Sequence, residues 1–107
     1  MHLKLTTLAS VVALAASARA TIVGTYYCTQ ANFYGPCAYT EAESGTCITF
    51  SAGGFWNQDI ACMRPDTGVA CTLYSGVNCT GATLAVKSQM GTISWADKAS
   101  SYTCVQT

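Results

Sequence analysis

The chain carries one pattern twice, and a pair of short repeats limits the folds open to it. Asn32-Phe33-Tyr34-Gly35 and Asn78-Cys79-Thr80-Gly81 each follow a Tyr/Cys-rich, strand-like stretch, and each is followed by a tryptophan. Trp56 opens W-N-Q-D-I-A-C and Trp95 opens W-A-D-K-A-S-S. The Asn-x-x-Gly elements stand 46 residues apart and the Trp elements 39 apart, so the second copy is seven residues shorter between its landmarks. Units this short cannot bury their apolar faces alone and must pack on one another.

The first twenty residues read as a secretory signal peptide. Met1-His2-Leu3-Lys4 is a short basic start, residues 5–16 are apolar and uncharged, and Ala18-Arg19-Ala20 is a small-x-small cleavage site. The apolar run is short for a bilayer span, and no second long one follows, so the expected mature chain, residues 21–107, is secreted and without a transmembrane segment. It keeps three cations (Arg64, Lys87, Lys98) against five carboxylates (Glu41, Glu43, Asp59, Asp66, Asp97), a formal charge of −2. A nucleic-acid or anionic-membrane binder needs a cationic footprint, which this chain lacks.

All seven cysteines, Cys28, Cys37, Cys47, Cys62, Cys71, Cys79 and Cys104, lie in the mature chain. A domain this small buries a modest fraction of its surface, and disulfides are the usual remedy in an oxidising compartment. Six can form three bridges of about 2–4 kcal/mol each, leaving one cysteine over. Zinc fits poorly: the shortest gap between cysteines holds seven residues, and the only histidine, His2, leaves with the signal.

Stretches rich in β-branched, aromatic and Cys residues at 25–29, 37–40, 46–51, 70–75, 83–87 and 101–106 read as strands bounded by Gly, Asn and Ser clusters. No window repeats its apolar residues at helical spacing. Arg64-Pro65-Asp66-Thr67-Gly68 is turn chemistry between the two copies. The expected fold is a small all-β, disulfide-stabilised sandwich.

An aromatic-rich strand, then N-F-Y-G or N-C-T-G, then a Trp and a late D-K-A-S-S resembles the βγ-crystallin Greek-key motif. C-T-L-Y-S-G-V-N-C-T-G from Cys71, W-A-D-K-A-S-S-Y-T-C from Trp95 and the R-P-D-T-G connector look especially like the βγ-crystallin-like small secreted proteins of filamentous fungi. The resemblance covers nearly the whole mature chain, as a single domain with one motif at about 24–66 and a second, better-matching one at about 69–106.

The resemblance implies a fold-back hairpin at Gly35 and Gly81, an aromatic seven residues earlier and a structural serine late in each motif. Tyr74 and Ser101 fill the last two places in the second motif, whereas Cys28 and Cys62 stand there in the first. First and last strands of a motif are then antiparallel neighbours with a constant index sum. Tyr74 opposite Ser101 gives 175, and Cys71 with Cys104 gives 175 again, so that bridge is expected; Cys28 would face Cys62. Two assignments remain open. In one, Cys28–Cys62 and Cys37–Cys47 pair and Cys79 is left over; in the other, Cys62 is the extra cysteine and Cys79 has a partner.

The resemblance also implies a calcium site from (N/D)-(N/D)-x-x-(S/T)-S loops. A-D-K-A-S-S keeps Asp97, Ser100 and Ser101 but has Ala96 first; N-Q-D-I-A-C keeps Asn57 but has Gln58 and Ala61, with Asp59 one place off. One weak calcium site at Asp97 and Ser100 is the most these loops imply, and D-K-A-S-S reads more readily as a turn cap.

Catalysis has little to stand on. The mature chain has no histidine to activate a nucleophile. Glu41 and Glu43 sit two apart in T-E-A-E-S-G, which reads as a solvated loop, whereas glycosidases set two carboxylates across a cleft. Trp56 and Trp95, at equivalent places, read as core packing, while Tyr34, Phe55 and Tyr102 could form a sugar- or partner-binding surface. Asn78-Cys79-Thr80 is an N-glycosylation sequon. The functional expectation is a secreted, non-enzymatic interaction factor, effector-like or antimicrobial since the family includes killer toxins, acting on an extracellular protein, a glycan or a competitor's cell surface. The alternatives are a structural or stress protein with a degenerate calcium site and a carbohydrate-binding module.

Overall fold

The computed structural model describes residues 21–51, 53–54, 56–95 and 98–107; the expected signal segment, Phe55 and Asp97 lie outside them. The chain forms β1 (Ile22–Gln30), a 3₁₀ turn (Ala31–Phe33), β2 (Tyr34–Glu43), β3 (Cys47–Thr49), β4 (Cys62–Pro65), β5 (Val69–Tyr74), β6 (Thr83–Val86) and β7 (Ser101–Gln106). These make two antiparallel sheets, in the orders β2-β1-β4 and β3-β7-β5-β6. Consequently β3, from the first copy of the repeat, pairs with β7 of the second. A bridge between Met63 and Met90 joins the second copy back to β4. The copies interlock: the four-stranded sheet takes its edge strand β3 from the first copy, and the Met63–Met90 bridge ties the second copy to β4 of the three-stranded sheet.

Inward side chains follow the period of two. Val69, Cys71 and Leu73 on β5 are buried and alternate with partly exposed Ala70, Thr72 and Tyr74. Val23, Thr25 and Tyr27 of β1 face them across the sandwich and are likewise buried. The Tyr27 ring meets Phe50, Trp56 and Tyr102 edge-on, with centroids 6.0, 5.1 and 6.0 Å away, so one aromatic cluster draws on both copies. Trp56 and Trp95 are both half-buried against this core.

The two Asn-x-x-Gly elements encode one backbone. Asn32 and Phe33 have φ of 60° and 63°, Asn78 and Cys79 both 56°, and Gly35 and Gly81 follow at 76° and 86°. Asn tolerates the left-handed region, and Gly enters it freely. At Gly81 a Cβ would lie 2.5 Å from Ser75 Oγ, so close approach also demands glycine. The second hairpin folds back over its sheet and is held by Ser101, whose Oγ donates to Gly76 O at 2.6 Å and accepts from Cys79 N at 2.8 Å.

Two expectations are corrected. The R-P-D-T-G turn is shorter than read: Arg64 and Pro65 belong to β4, and the chain turns only at Asp66, whose carbonyl accepts from Val69 N at 3.0 Å. T-E-A-E-S-G is not all loop either, since Glu41 and Glu43 lie within β2, where pairing to Gly24 and Ile22 extends a polar stretch that has no β propensity of its own.

Ser101 is fully buried, so Ser101→Ala strands a carbonyl and an N–H beneath the hairpin. We expect a loss of about 1–3 kcal/mol, read by thermal unfolding as a Tm lowered by roughly 5–20 °C.

Candidate functional site

Three regions carry the side chains singled out in the sequence. The first is the pair of loops that precede β4 and β7. Gln58 N donates to Ala99 O at 2.8 Å, which ties the loops together, and Gln58 takes φ of 58° to do so. Asn57 Oδ1 is buried with no hydrogen-bond partner among the described residues. Ser100 is buried, with its N–H on Tyr74 O and its carbonyl accepting from Phe50 N. Asp59 and Gln58 point to solvent. Among the described residues no three His, Cys, Asp or Glu side chains gather as metal ligands.

The second region is the outer face of the β2-β1-β4 sheet, covered by the first fold-back hairpin. Here Tyr26 stacks on Phe33 with centroids 5.9 Å apart. The Arg64 guanidinium sits over both rings, at 4.9 Å from Tyr26 and 5.6 Å from Phe33. Exposed Tyr34 and Tyr39 lie on the same hairpin and strand. The equivalent places in the second copy, by the repeat offsets, hold Thr72, Cys79 and Thr103, so the cation-aromatic platform belongs to one half alone. Tyr39 hydroxyl donates to Asp66 across Gly24, where a Cβ would collide with the Tyr39 hydroxyl.

The surface expected from Tyr34, Phe55 and Tyr102 does not form as a unit. Tyr102 sits in the aromatic core, only 2% exposed, while Tyr34 is exposed on the opposite hairpin. Burial, then the neighbouring Tyr27 hydroxyl, holds the Tyr102 phenol far above its usual range.

The third region is the cysteine framework. Disulfides join Cys28–Cys37, Cys47–Cys79 and Cys71–Cys104, and among the described residues only Cys62 is unbridged. Of the two assignments open in the sequence, the structure has the one that leaves Cys62 free; Cys28–Cys62 and Cys37–Cys47 are not formed. Cys28 does face Cys62 as a strand partner, but it also faces Cys37, and that is the partner it bonds. Cys47–Cys79 links β3 to the second hairpin, where Thr49 Oγ1 also accepts from Asn78 N at 3.0 Å. Asn78 is exposed at that hairpin's tip.

Several solved structures superpose on this chain. A domain from Flavobacterium johnsoniae, described as a βγ-crystallin domain, superposes with a TM-score of 0.62 at 22% identity, covering 77% of this chain and 93% of its own. The fold is that of a βγ-crystallin domain. A βγ-crystallin domain from Clostridium beijerinckii gives 0.61 at 20% identity, covering 78% and 99%. The βγ-crystallin domain of Abundant Perithecial Protein from Neurospora crassa, solved in its calcium-bound form, gives 0.64 at 14% identity, covering 78% and 89%. No protein-family model matches the chain, and no curated protein matches it.

The Tyr39–Asp66 contact has a measurable signature. The hydrogen bond to Asp66, then desolvation and the nearby carboxylates, push the Tyr39 phenol up from 10.0 to about 12. A pKa raised by folding favours the protonated form, so this contact's contribution is intact below pH 10 and is lost as pH climbs through about 12. In a ¹³C-NMR titration of the tyrosine rings, Asp66→Asn should return the Tyr39 midpoint toward 10; an unmoved midpoint would remove Asp66 as the cause.

Proposed function

We propose that the mature chain is an extracellular interaction factor that works without catalysis, effector-like or antimicrobial in character. The observation that carries this reading is the Arg64–Tyr26–Phe33 platform with exposed Tyr34 beside it. Arg and Tyr are the residues over-represented where protein interfaces concentrate their energy. The second copy keeps the same backbone but none of these side chains, so scaffold requirements do not explain them. An open hollow of about 380 Å³ beside the platform holds Arg64, Asp66 and Lys87. It offers a place for polar contact. The low charge argues against attack on anionic membranes and for a protein or glycan target. Three disulfides suit a chain that meets oxidising, proteolytic surroundings, consistent with secretion.

The test applies the purified, oxidised mature protein to competing microorganisms and to host tissue, scoring growth inhibition or tissue response. The double variant Arg64→Ala/Tyr34→Ala should keep its Tm within a few degrees and lose most of the response. An equal response from the variant would move the active surface elsewhere. Retention on cell-wall polysaccharide that the same variant abolishes would instead make the platform a carbohydrate-binding face.

A second reading rests on Asn57, whose amide oxygen is buried and unpartnered among the described residues, in the loop tied to that of Ser100. An amide oxygen, a hydroxyl, the Asp97 carboxylate and backbone carbonyls suit a hard cation, but Ala61 and Ala96 withhold two donors. The donor set fits one weak calcium ion held by Asn57, Asp97 and Ser100, whose chemistry would be the stabilisation of the folded loops. The calcium-bound state of the Neurospora crassa domain is the precedent for this fold. Millimolar calcium should raise Tm by a few degrees over chelator, and Asp97→Ala should abolish the rise. An unchanged midpoint ends this reading and leaves the first intact.

A further inference from the structure

We propose that Cys62, Cys28 and Cys37 form an internal disulfide-exchange site, in which the bridge moves from Cys28–Cys37 to Cys28–Cys62 and releases Cys37 as a reactive surface thiol. The three cysteines lie in one row across the sheet. Cys28 on the central strand β1 is the register partner of Cys37 on one side and of Cys62 on the other. Directly opposed residues of antiparallel strands project from the same face, with Cα atoms about 4.5–5.5 Å apart, within the span that a disulfide bridges. The Cys62 thiol is already turned toward β1, donating to Gln30 O at 3.3 Å. Cys28 therefore has a bonded sulfur on one flank and a thiol on the other.

This order is the one that exchange requires. A thiolate attacks a disulfide sulfur along the line of the bond, and the far sulfur leaves. Here Cys62 attacks the central Cys28 Sγ, the Cys28–Cys37 bond breaks as the Cys28–Cys62 bond forms, and Cys37 departs as thiolate. The proton lost by Cys62 is regained at Cys37. The number of disulfides is unchanged, and no oxidant is consumed.

Burial gives the exchange a direction of access. Cys28 and Cys62 are fully buried beneath the first fold-back hairpin, so an external reagent does not reach either sulfur. Cys37 is half-exposed on β2, the edge of its sheet. The internal thiol thus controls whether an outer one exists. Once free, Cys37 is a nucleophile for a disulfide in a second molecule: its thiolate bonds one sulfur of that disulfide and the other leaves as a thiolate. The hairpin between Cys28 and Cys37 also loses its covalent closure, while β1 becomes tied to β4. The second copy holds Tyr74, Thr83 and Ser101 at the equivalent places and has no such row. Ser101 Oγ donates to Gly76 O in the manner of Cys62 to Gln30 O, so a hydroxyl suffices to hold the hairpin. The thiol is therefore not needed for the fold.

The experiment is alkylation of the native, oxidised mature protein with iodoacetamide, followed by non-reducing peptide mapping. We expect label on Cys37 to rise together with a Cys28–Cys62-linked peptide, mole for mole. Cys62→Ser, which installs the residue found in the second copy, should keep the far-ultraviolet circular dichroism and lose the Cys37 label at least tenfold. Label confined to Cys62, no label on the folded protein, or Cys37 label unchanged in Cys62→Ser would each overturn the proposal. Cys37→Ser provides an independent check: refolded with oxidised glutathione, it should yield the Cys28–Cys62 bridge. Free thiols at both Cys28 and Cys62, read by alkylation after the refolded variant is denatured without reductant, would show that the row cannot bridge on its inner side.

Discussion

The fold-back of each Asn-x-x-Gly hairpin over the outer face of its own sheet is the constraint on which the rest of the molecule depends. It needs successive left-handed residues, a glycine, and a hydrogen-bonding side chain on the last strand of the same copy. Ser101 supplies that group in the second copy and Cys62 in the first. Because the hairpin covers the outer face, Cys28 and Cys62 are buried although they alternate with Tyr27 and Met63, which point into the core. The same cover brings Phe33 onto Tyr26 and places both under Arg64. One backbone device thus produces the buried sulfurs and the aromatic platform together.

Interlocking of the copies is the second layer. The three residues of β3 cannot hold their place alone, yet they sit on β7 with Cys47 bonded to Cys79 of the second hairpin. That bridge crosses between copies, whereas Cys71–Cys104 and Cys28–Cys37 each lie within one. A domain of this size gains about 2–4 kcal/mol from each such closure, so the three together are comparable with its whole expected stability. The thin core is therefore not the sole support of the fold.

Much of this was legible through the resemblance to the Greek-key motif. It implied Tyr74 opposite Ser101 and Cys28 opposite Cys62, the constant index sum then put Cys71 opposite Cys104, and all three pairs face one another. Strand β4 gave no propensity signal of its own, with Arg64 and Pro65 reading as turn, and it exists through pairing with β1. Glu41 and Glu43 were likewise hidden in a polar run that β1 draws into a strand. Tyr102 looked like any exposed strand tyrosine; its burial depends on Tyr27 and Phe50 arriving from the other copy.

By itself the sequence determined the all-β class and the twofold repeat, and its resemblance to the βγ-crystallin motif implied the fold-back hairpins and the pairing of each copy's first and last strands. The first two are local properties, or follow from the spacing of landmarks along the chain. Only the tertiary structure decided which cysteines bond and which side chains are covered. Cys28 has two register partners, and sequence spacing holds no information on which sulfur it meets. Cys47 reaches Cys79 only because β3 crosses to the other copy's sheet, and Arg64 finds its two rings only after the hairpin has closed over them. These contacts join residues distant along the chain, so they are set by how the strands cross and pack.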